Sequence, residues 1–368
     1  MTDQRQGGLL MAAEIAEQPE VLRRIVDNGW GPIREVAAKI AERQPRFVLL
    51  AGRGTSDHAA LYAKYLIEVR LNLPCGLVSP STLTAYGARP DLRETLVIAV
   101  SQSGGSPDLT ETLTVARECG ATTLAVTNAP GSALAAAAEL TVDVLAGPER
   151  AVAATKSYTA ELLALQLLVA AWTRAADGTA DGAVDAEPAA ARRLAEAAAR
   201  RLPEAAAELV GRREEVVELA QRYRFASRLV VTGRGFAYPT ALEAALKLME
   251  TSYVAAHAFS GADLLHGPLA MVDPEYPVVA VVPDGVGATA MAPVLQRVRE
   301  RGADLLVLGG AAAEAAGSHG FVLPGGISEE LHPVVDIIAL QWLALEIAVA
   351  RGLDPDRPRG LSKVTETW

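Results

Sequence analysis

The stretch Ser101-Gln102-Ser103-Gly104-Gly105-Ser106 decides how this sequence is interpreted. The apolar run Leu96–Val100 leads into it and predicts a buried strand, while Pro107 and a helical pattern from Asp108 to Glu118 follow it. The first N–H groups of a helix lack partners within the helix, and the helix dipole adds positive potential there. The turn therefore suits an anion such as a phosphate monoester. From these residues alone, a polar turn with a serine N-cap is an equal alternative.

Composition narrows the class of protein. The chain has 368 residues, of which 50% are hydrophobic, so it is long enough for two domains with full cores. A net charge of −10 without a basic run predicts no nucleic-acid partner. The two cysteines form neither a metal-binding spacing nor a disulfide framework. The polar start Met1–Gln6 and apolar runs broken by Gly, Pro or charge predict a cytoplasmic protein without a membrane span.

Strand and helix patterns alternate along the chain, which predicts an α/β fold with a doubly wound parallel sheet. A helix is expected over residues 9–26 and another over Pro32–Glu42. In the first half, strands are predicted at Arg46–Ala51, Cys75–Val78, Leu96–Val100, Thr122–Thr127 and Leu140–Leu145, with a long helix from about Lys156 to Thr173.

The second half of the chain repeats the first at an offset of 181 or 182 residues. Three matches in the same order predict two copies of one α/β unit. In the second copy Pro283-Asp284-Gly285 replaces the serine-rich turn, and an acidic turn repels phosphate. We therefore expect only the first copy to hold the anion. The matching pairs are Val48–Gly54 with Leu229–Gly235, Val97–Val100 with Val278–Val281, and Glu118–Ala121 with Glu300–Ala303.

A shift in composition to Ala, Asp and Gly near residues 175–190 predicts a linker between the copies. The predicted organisation begins with an N-terminal helical segment (residues 1–30) and a first α/β domain (31–175). The linker (176–205), a second α/β domain (206–352) and a C-terminal tail (353–368) follow.

Several motifs in combination resemble the sugar isomerase (SIS) superfamily, above all the isomerase half of glucosamine-6-phosphate synthase and the SIS-type glucosamine-6-phosphate deaminases. The resemblance covers nearly the whole chain and implies two tandem flavodoxin-like αβα domains. The motifs are Gly54-Thr55-Ser56, Ser101-Gln102-Ser103-Gly104, Ala153-Ala154-Thr155-Lys156, Glu250, His266-Gly267-Pro268 and Lys363.

Details of two stretches, Gly52–Ala59 and Ala151–Tyr158, look more like the deaminases than the synthase. The synthase's glutaminase domain, with its leading cysteine, is not present in the sequence. The resemblance therefore implies the deaminating direction, from glucosamine 6-phosphate to fructose 6-phosphate and ammonia.

The resemblance implies roles for three catalytic residues, and helical spacing adds Lys247 as a fourth candidate. Glu250 is the base that moves a proton between C1 and C2, and Lys247, one helical turn earlier, supports it electrostatically or pairs with it on the surface. His266 serves ring opening and reaches the site from a neighbouring subunit. Lys363, in a tail that closes over the sugar, contacts its C1–C2 end. Without the resemblance, a solvated helix residue, a surface histidine and a frayed terminus would be the ordinary interpretations.

The remaining implied contacts hold the substrate, a small sugar phosphate. Ala154 replaces a serine of the synthase, so one contact to the sugar is in doubt. Because the resemblance also implies shared active sites, a homodimer is expected. No cofactor is implied, and His58, His319 and His332 form no metal-binding spacing with nearby acids, so no metal is expected. The substrate-binding positions are Thr55, Ser56, Ser101, Gln102, Ser103, Ser106, Val152 and Ala154.

Two other functions stay open at this point. A base acting at C2 of N-acetylglucosamine 6-phosphate could expel the C3 group as water, and Ala154 leaves room for a bulkier 2-substituent. A non-catalytic module that binds sugar phosphates is the third hypothesis. Against it, the sequence carries Glu250, His266 and Lys363 and no helix-turn-helix segment.

Overall fold

The computed structural model describes residues 7–176 and 201–363, and these residues divide into two units. The predicted domain boundaries stay predictions, and most of the predicted linker, residues 177–200, lies outside the described residues. The N-terminal unit comprises residues 20–149, 156–176 and 201–203, and the C-terminal unit comprises residues 7–19, 150–155 and 204–363.

The N-terminal unit has a five-stranded parallel sheet in the order β2-β1-β3-β4-β5. Its strands are β1 (Phe47–Ala51), β2 (Cys75–Leu77), β3 (Thr95–Ser101), β4 (Thr122–Thr127) and β5 (Leu140–Asp143). The helices up to the end of this half are α1 (Leu9–Ala16), α2 (Gln18–Arg24), a π-helical turn (Ile25–Gly29), α3 (Trp30–Arg43), α4 (Thr55–Leu71), α5 (Pro80–Thr84), α6 (Pro107–Glu118), α7 (Ala133–Ala137) and α8 (Lys156–Ala176).

The C-terminal unit has a second parallel sheet in the order β10-β9-β8-β6-β7. Its strands are β6 (Arg228–Gly233), β7 (Ala255–Ser260), β8 (Pro277–Val282), β9 (Asp304–Gly309) and β10 (Gly320–Val322). The helices of the second half are α9 (201–211), α10 (Arg213–Tyr223), α11 (Ala237–Ser252), α12 (Gly261–Leu265), α13 (Val286–Glu300), α14 (Ala311–Ala316) and α15 (His332–Ala350), with 3₁₀ turns at Pro268–Met271 and Gly317–His319.

The two sheets share one topology. Numbered within each sheet, both follow the strand order 2-1-3-4-5, so the predicted repeat and the doubly wound α/β fold are confirmed. In this order the chain reverses its direction of winding between the first and third strands, and ligands bind outside the carboxyl ends of the strands there. The turns after β1 and β3 meet at that point in the N-terminal unit, and the turns after β6 and β8 meet in the C-terminal unit.

Burial of both sheet faces explains the apolar strands. All seven residues of β3 are buried, because parallel strands are covered by helices on both sides. Helix α6 places Leu109, Leu113 and Ala116 on one face at helical spacing, where they pack in a core cluster with Val97 and Ala99 of β3. This packing fixes the helix directly after the serine-rich turn.

The N-terminal helical segment is interrupted where one helix over residues 9–26 was predicted. Pro19 has no N–H, so the carbonyl of Ile15, four residues earlier, loses its helical donor. The side-chain amide of Gln18 donates to that carbonyl instead at 3.1 Å. The helix therefore ends as α1 and resumes as α2 with its buried acceptor satisfied.

Helix α15 bears on the expectation that the chain has no membrane span. Within residues 7–176 and 201–363 it is the one helix long and apolar enough to cross a membrane, with a mean hydropathy of 1.8. Asp336 and Glu346 lie in it, yet they do not lower the mean below that of a membrane span. However, 89% of the apolar window is buried inside the protein, as in the central helix of a folded core. The length and composition of α15 are therefore only weak evidence that this helix crosses a membrane.

Candidate functional site

The serine-rich turn lies where the sheet of the N-terminal unit reverses its winding. Ser101 ends β3 and is buried, while Gln102, Ser103 and Ser106 are half-buried. The N–H groups of the two glycines donate to the Oγ atoms of Ser101 and Ser103, each at 3.2 Å. A hydroxyl that accepts such a bond still has its own hydrogen to donate. Ser106 occupies the N-cap position of α6 without a side-chain capping bond. The turn therefore offers hydroxyl donors at a helix start.

Gly104 is required by the shape of this turn. Its φ is +59°, and a Cβ at this position would lie 2.0 Å from the Oγ of Ser132. The neighbouring loop thus approaches the turn as closely as a hydrogen atom on Cα allows. The carbonyl of Gly104 also accepts from the N–H of Leu134 at 3.2 Å, which ties the turn to α7.

The turn after β1 contributes a cation to the same place. Arg53 donates from Nε to Oδ2 of Asp108 at 2.8 Å, and its Nη2 lies 2.6 Å from the same oxygen. Asp108 is buried in the first turn of α6, where its charge would oppose an anionic ligand. Arg53, whose side chain is 46% exposed, neutralises that charge and faces solvent. The pair makes the α6 start compatible with a phosphate.

Thr55 and Ser56 begin α4, but their side chains differ in burial and in what their hydroxyl groups contact. The Ser56 hydroxyl donates to Oε1 of Glu161 at 2.9 Å, and both side chains are buried. Its hydrogen is therefore already used within the protein. The prediction that Ser56 contacts substrate stands only for its oxygen or its backbone N–H. Thr55 is half-buried at the helix start.

The corresponding turn of the C-terminal unit is filled by the protein's own carboxylate. The N–H groups of Val286 and Gly287, at the start of α13, donate to Glu329 at 2.7 Å and 2.8 Å. Asp284, the acid noted in the sequence, instead accepts from the N–H of Ala311 at 3.0 Å. Glu329 thus satisfies the helix N-terminus that would otherwise attract an anion.

A buried histidine stands beside this acidic turn. Nδ1 of His332 lies 2.9 Å from Oδ1 of Asp336, and both residues are buried at the start of α15. Burial lowers the pKa of His332, but the carboxylates of Asp336, Asp284 and Glu329 together outweigh it and raise that pKa. Burial raises the pKa of Asp336. The carboxylates of this region therefore favour the imidazolium form of His332.

Lys247 lies between two carboxylates on α11. Its Nζ is 3.3 Å from Oε1 of Glu243 and 2.5 Å from Oε2 of Glu250. Lys247 and Glu243 are fully buried, whereas the Glu250 side chain is 23% exposed. Burial lowers the pKa of Lys247, but the two carboxylates raise it above its ordinary value. Of the two roles open for Lys247, a surface ion pair is therefore wrong, because the ammonium is buried and charged.

His266 follows the short helix α12 and precedes a 3₁₀ turn. The predicted loop therefore consists of His266 and Gly267 alone. The residue is exposed, as are Leu265 and, at the end of α11, Met249. The exposed fractions of the two apolar side chains are 39% for Leu265 and 43% for Met249.

The C-terminal tail is attached to the end of α11. The backbone N–H of Arg359 donates to the hydroxyl of Tyr253 at 2.8 Å, and its guanidinium lies 4.0 Å from the centre of that ring. Tyr253 is three residues after Glu250, so the tail that carries Lys363 is held near the end of this helix. Lys363 is half-buried. Val152 and Ala154 are half-buried in the same unit.

The described residues show no group of three or more His, Cys, Asp or Glu side chains that could hold a metal ion. His319 contacts Arg222 and His332 contacts Asp336, which is pairing rather than ligand geometry. The expectation that the chain uses no metal stays a prediction.

Three functional candidates were missed in the sequence. Glu243 could have been found, because its spacing of four residues from Lys247 places both on one helix face. Glu161 and Glu329 could not. Their partners Ser56 and Val286 lie far away in the chain, and only the folded sheet brings them together.

Comparisons with known proteins agree with the duplicated α/β fold. The SIS domain family matches the chain twice, over residues 43–171 and 223–351. The glutamine–fructose-6-phosphate aminotransferase (isomerizing) of Thermococcus kodakarensis is 34% identical over 355 residues. That match covers 96% of this chain and 57% of the relative, so the chain spans little more than half of that protein's length.

Two solved structures are similar over almost their entire length. The C-terminal domain of glucosamine-fructose-6-phosphate aminotransferase from Francisella tularensis has a TM-score of 0.85 at 26% identity, covering 96% of this chain and 99% of that one. A protein from Silicibacter pomeroyi, described as a phosphosugar isomerase, has a TM-score of 0.79 at 32% identity, covering 94% and 99%.

Lys247 provides a test of the buried charges. Replacing it by Met leaves Glu243 buried without its cation, so Lys247→Met should lower the free energy of unfolding by about 3–5 kcal/mol. The double variant Lys247→Met, Glu243→Gln should recover part of that loss. Arg297→Met, which removes an exposed i,i+3 pair with Glu300, is the control and should cost less than about 1 kcal/mol. Urea unfolding measures all three, and equal losses for Lys247 and Arg297 would contradict the buried arrangement.

His332 provides a test against pH. A histidine whose pKa is raised on folding stabilises the protein fully below its unfolded pKa, near 6.5, and this contribution is lost as pH rises through the folded pKa. The stability difference between wild type and His332→Asn should therefore shrink from pH 6 upward. In an Asp336→Asn background the same substitution should depend less on pH, because the nearest carboxylate is gone. Urea midpoints at several pH values measure this, and a difference that grows with pH would refute the assignment.

Proposed function

The chain belongs to the SIS domain family, and on that basis we propose that it is an amino sugar 6-phosphate isomerase that releases ammonia, converting glucosamine 6-phosphate and water to fructose 6-phosphate and ammonia. The observation that carries this proposal is the line of buried charges Glu243–Lys247–Glu250, which ends in a carboxylate that solvent reaches. Aldose–ketose interconversion needs such a group to move a proton between neighbouring carbons.

The serine-rich turn binds the phosphate. Ser101, Gln102, Ser103 and Ser106 supply donors at the start of α6, and the Arg53–Asp108 pair removes the negative charge that would oppose binding there. The C-terminal unit carries no equivalent function, because Glu329 fills its turn. One phosphate per chain follows from this difference.

The proton transfer belongs to Glu250. The Glu250 carboxylate takes the proton from C2 of the open-chain aldose, which forms an enol-type intermediate that carries nitrogen at C2. Returning the proton to C1 leaves a ketose imine. Water then adds to C2 and the nitrogen leaves as ammonia, which balances the reaction. Lys247 supports this step by holding Glu250 in place through a 2.5 Å contact from the protein interior.

His266 and Lys363 complete the proposal. His266 transfers the proton that opens the sugar ring, and its imidazole is suited to that near neutral pH. Lys363 contacts the C1–C2 end from the tail that Tyr253 anchors. Val152 and Ala154 contact the sugar from the segment at residues 150–155, as does Thr55 from the start of α4.

A homodimer is part of this proposal. The resemblance assigns His266 to the site of a neighbouring chain, and both His266 and its neighbour Leu265 are exposed and so available to contact a second copy. In that dimer each His266 serves the site of the partner chain.

Glu250→Gln tests the proposed base. The amide keeps the size of the side chain but cannot take the C2 proton, so kcat should fall by about 10²–10⁴-fold. Exchange of the substrate C2 hydrogen with solvent deuterium should fall in parallel. Ser103→Ala is the comparison: it removes a phosphate donor used in both ground and transition states, so it should mainly raise KM.

Three sugar substrates distinguish the reactions. Glucosamine 6-phosphate should yield ammonia and a ketose. N-acetylglucosamine 6-phosphate yielding an unsaturated product would replace the proposal with a dehydratase, and binding without turnover of either would replace it with a sensor. Fructose 6-phosphate with added ammonia tests the reverse direction. If Glu250→Gln exchanges the C2 hydrogen at the wild-type rate, Glu250 is not the base.

Mixing of two inactive variants tests the shared site. Glu250→Gln and His266→Asn chains, unfolded and refolded together, should regain part of the wild-type activity, because mixed dimers contain one site with both native groups. Each variant refolded alone is the control. Mixed dimers identified by a mass tag that stay inactive would show that His266 does not act across the interface.

A further inference from the structure

The segment at residues 150–155 is held by a carboxylate from α1. Glu14 is 5% exposed, and it accepts a short hydrogen bond from the N–H of Arg150. The N–H of Ala151 lies 3.3 Å from its Oε1 and 3.2 Å from its Oε2. A buried carboxylate that takes two backbone N–H groups fixes the position of that backbone. Val152 follows directly.

The other end of this segment is held as well. The amide of Gln18, at the start of α2, donates to Oε1 of Gln341 at 2.8 Å, and Nε2 of Gln341 donates to the carbonyl of Thr155 at 3.2 Å. Gln18, Gln341 and Thr155 are fully buried. The backbone around Val152 and Ala154 is therefore fixed at both ends by polar groups of the interior.

The opposite end of α1 is bound to the C-terminal tail. The N–H of Gly8 donates to Asp354 at 3.0 Å, and those of Leu10 and Met11 donate to Asp356 at 2.8 Å and 2.9 Å. These carboxylates satisfy the first N–H groups of the helix. Gly8 has a φ of +77°, and a Cβ there would lie 2.8 Å from Pro355, so the approach requires glycine.

We propose that α1 positions two parts of the active site and that Glu14 is a positioning residue; this helix with its two sets of hydrogen bonds is called the bracket below. Through Glu14 it sets the 150–155 segment that contacts the sugar, and through Asp354 and Asp356 it sets the tail that carries Lys363. The proposal rests on the function proposed above. It assigns a role in catalysis to an N-terminal segment that touches no substrate itself.

Glu14→Gln tests the bracket. The amide has one oxygen for two N–H donors, and its own NH₂ faces the second donor, so one bond is replaced by repulsion. Hydrogen exchange at the amides of Arg150 and Ala151 should become at least about tenfold faster, while exchange in β3 stays unchanged. With glucosamine 6-phosphate, kcat should fall about tenfold or more. Glu17→Gln, at the exposed residue that caps the C-terminal end of α1, is the control and should change neither quantity.

The outcomes separate the bracket from the proposed reaction. A wild-type chain that turns over none of the sugars refutes the function, and the exchange comparison, which needs no substrate, still decides whether Glu14 holds the segment. An active wild type with unchanged exchange or unchanged kcat in Glu14→Gln refutes the bracket. A merely structural role predicts a lower melting temperature with normal kcat at low temperature. If Glu14→Gln does not fold, Glu14→Asp, which keeps the charge but shortens its reach, provides the same comparison.

Discussion

Helix N-termini at the edge of a parallel sheet need an acceptor, and the fold depends on how each one is satisfied. Doubly wound topology aims the start of a helix at the point where strand order reverses, so each copy creates a site of positive potential. In one copy serine hydroxyls and the Arg53–Asp108 pair surround that point. In the other, Glu329 occupies it through two short bonds. The two copies therefore differ in what satisfies this helix start: the C-terminal copy uses its own Glu329 carboxylate, whereas we propose that the N-terminal copy takes a bound anion.

The second constraint is a buried ammonium. Lys247 is fully buried, and a charge in that position persists only when it is paired and hydrogen-bonded. Glu243 pairs with it from within and Glu250 from the side nearer solvent. The interior therefore places a carboxylate rigidly at the end of α11. Rigidity of this kind is what proton transfer at a defined carbon requires.

Polar groups of the interior also organise segments that lie far apart in the sequence. Glu14 accepts from the backbone at residues 150–151, while Asp354 and Asp356 accept from the start of the helix that carries Glu14. Each carboxylate satisfies backbone N–H groups that would be costly to bury unpaired. The same bonds hold the segments that we propose to contact the sugar.

The sequence by itself determined the α/β class, the duplication and the position of the serine-rich turn, because periodicity, glycine spacing and a repeated offset are local signals. It also indicated Glu250 and Lys247 as neighbours, since i,i+3 spacing places both on one helix face. It did not determine that Lys247 is buried, that the Ser56 hydroxyl is used by Glu161, or that Glu329 closes the second turn. Those depend on contacts between residues dozens of positions apart, and only the packed sheet brings such groups within hydrogen-bonding distance.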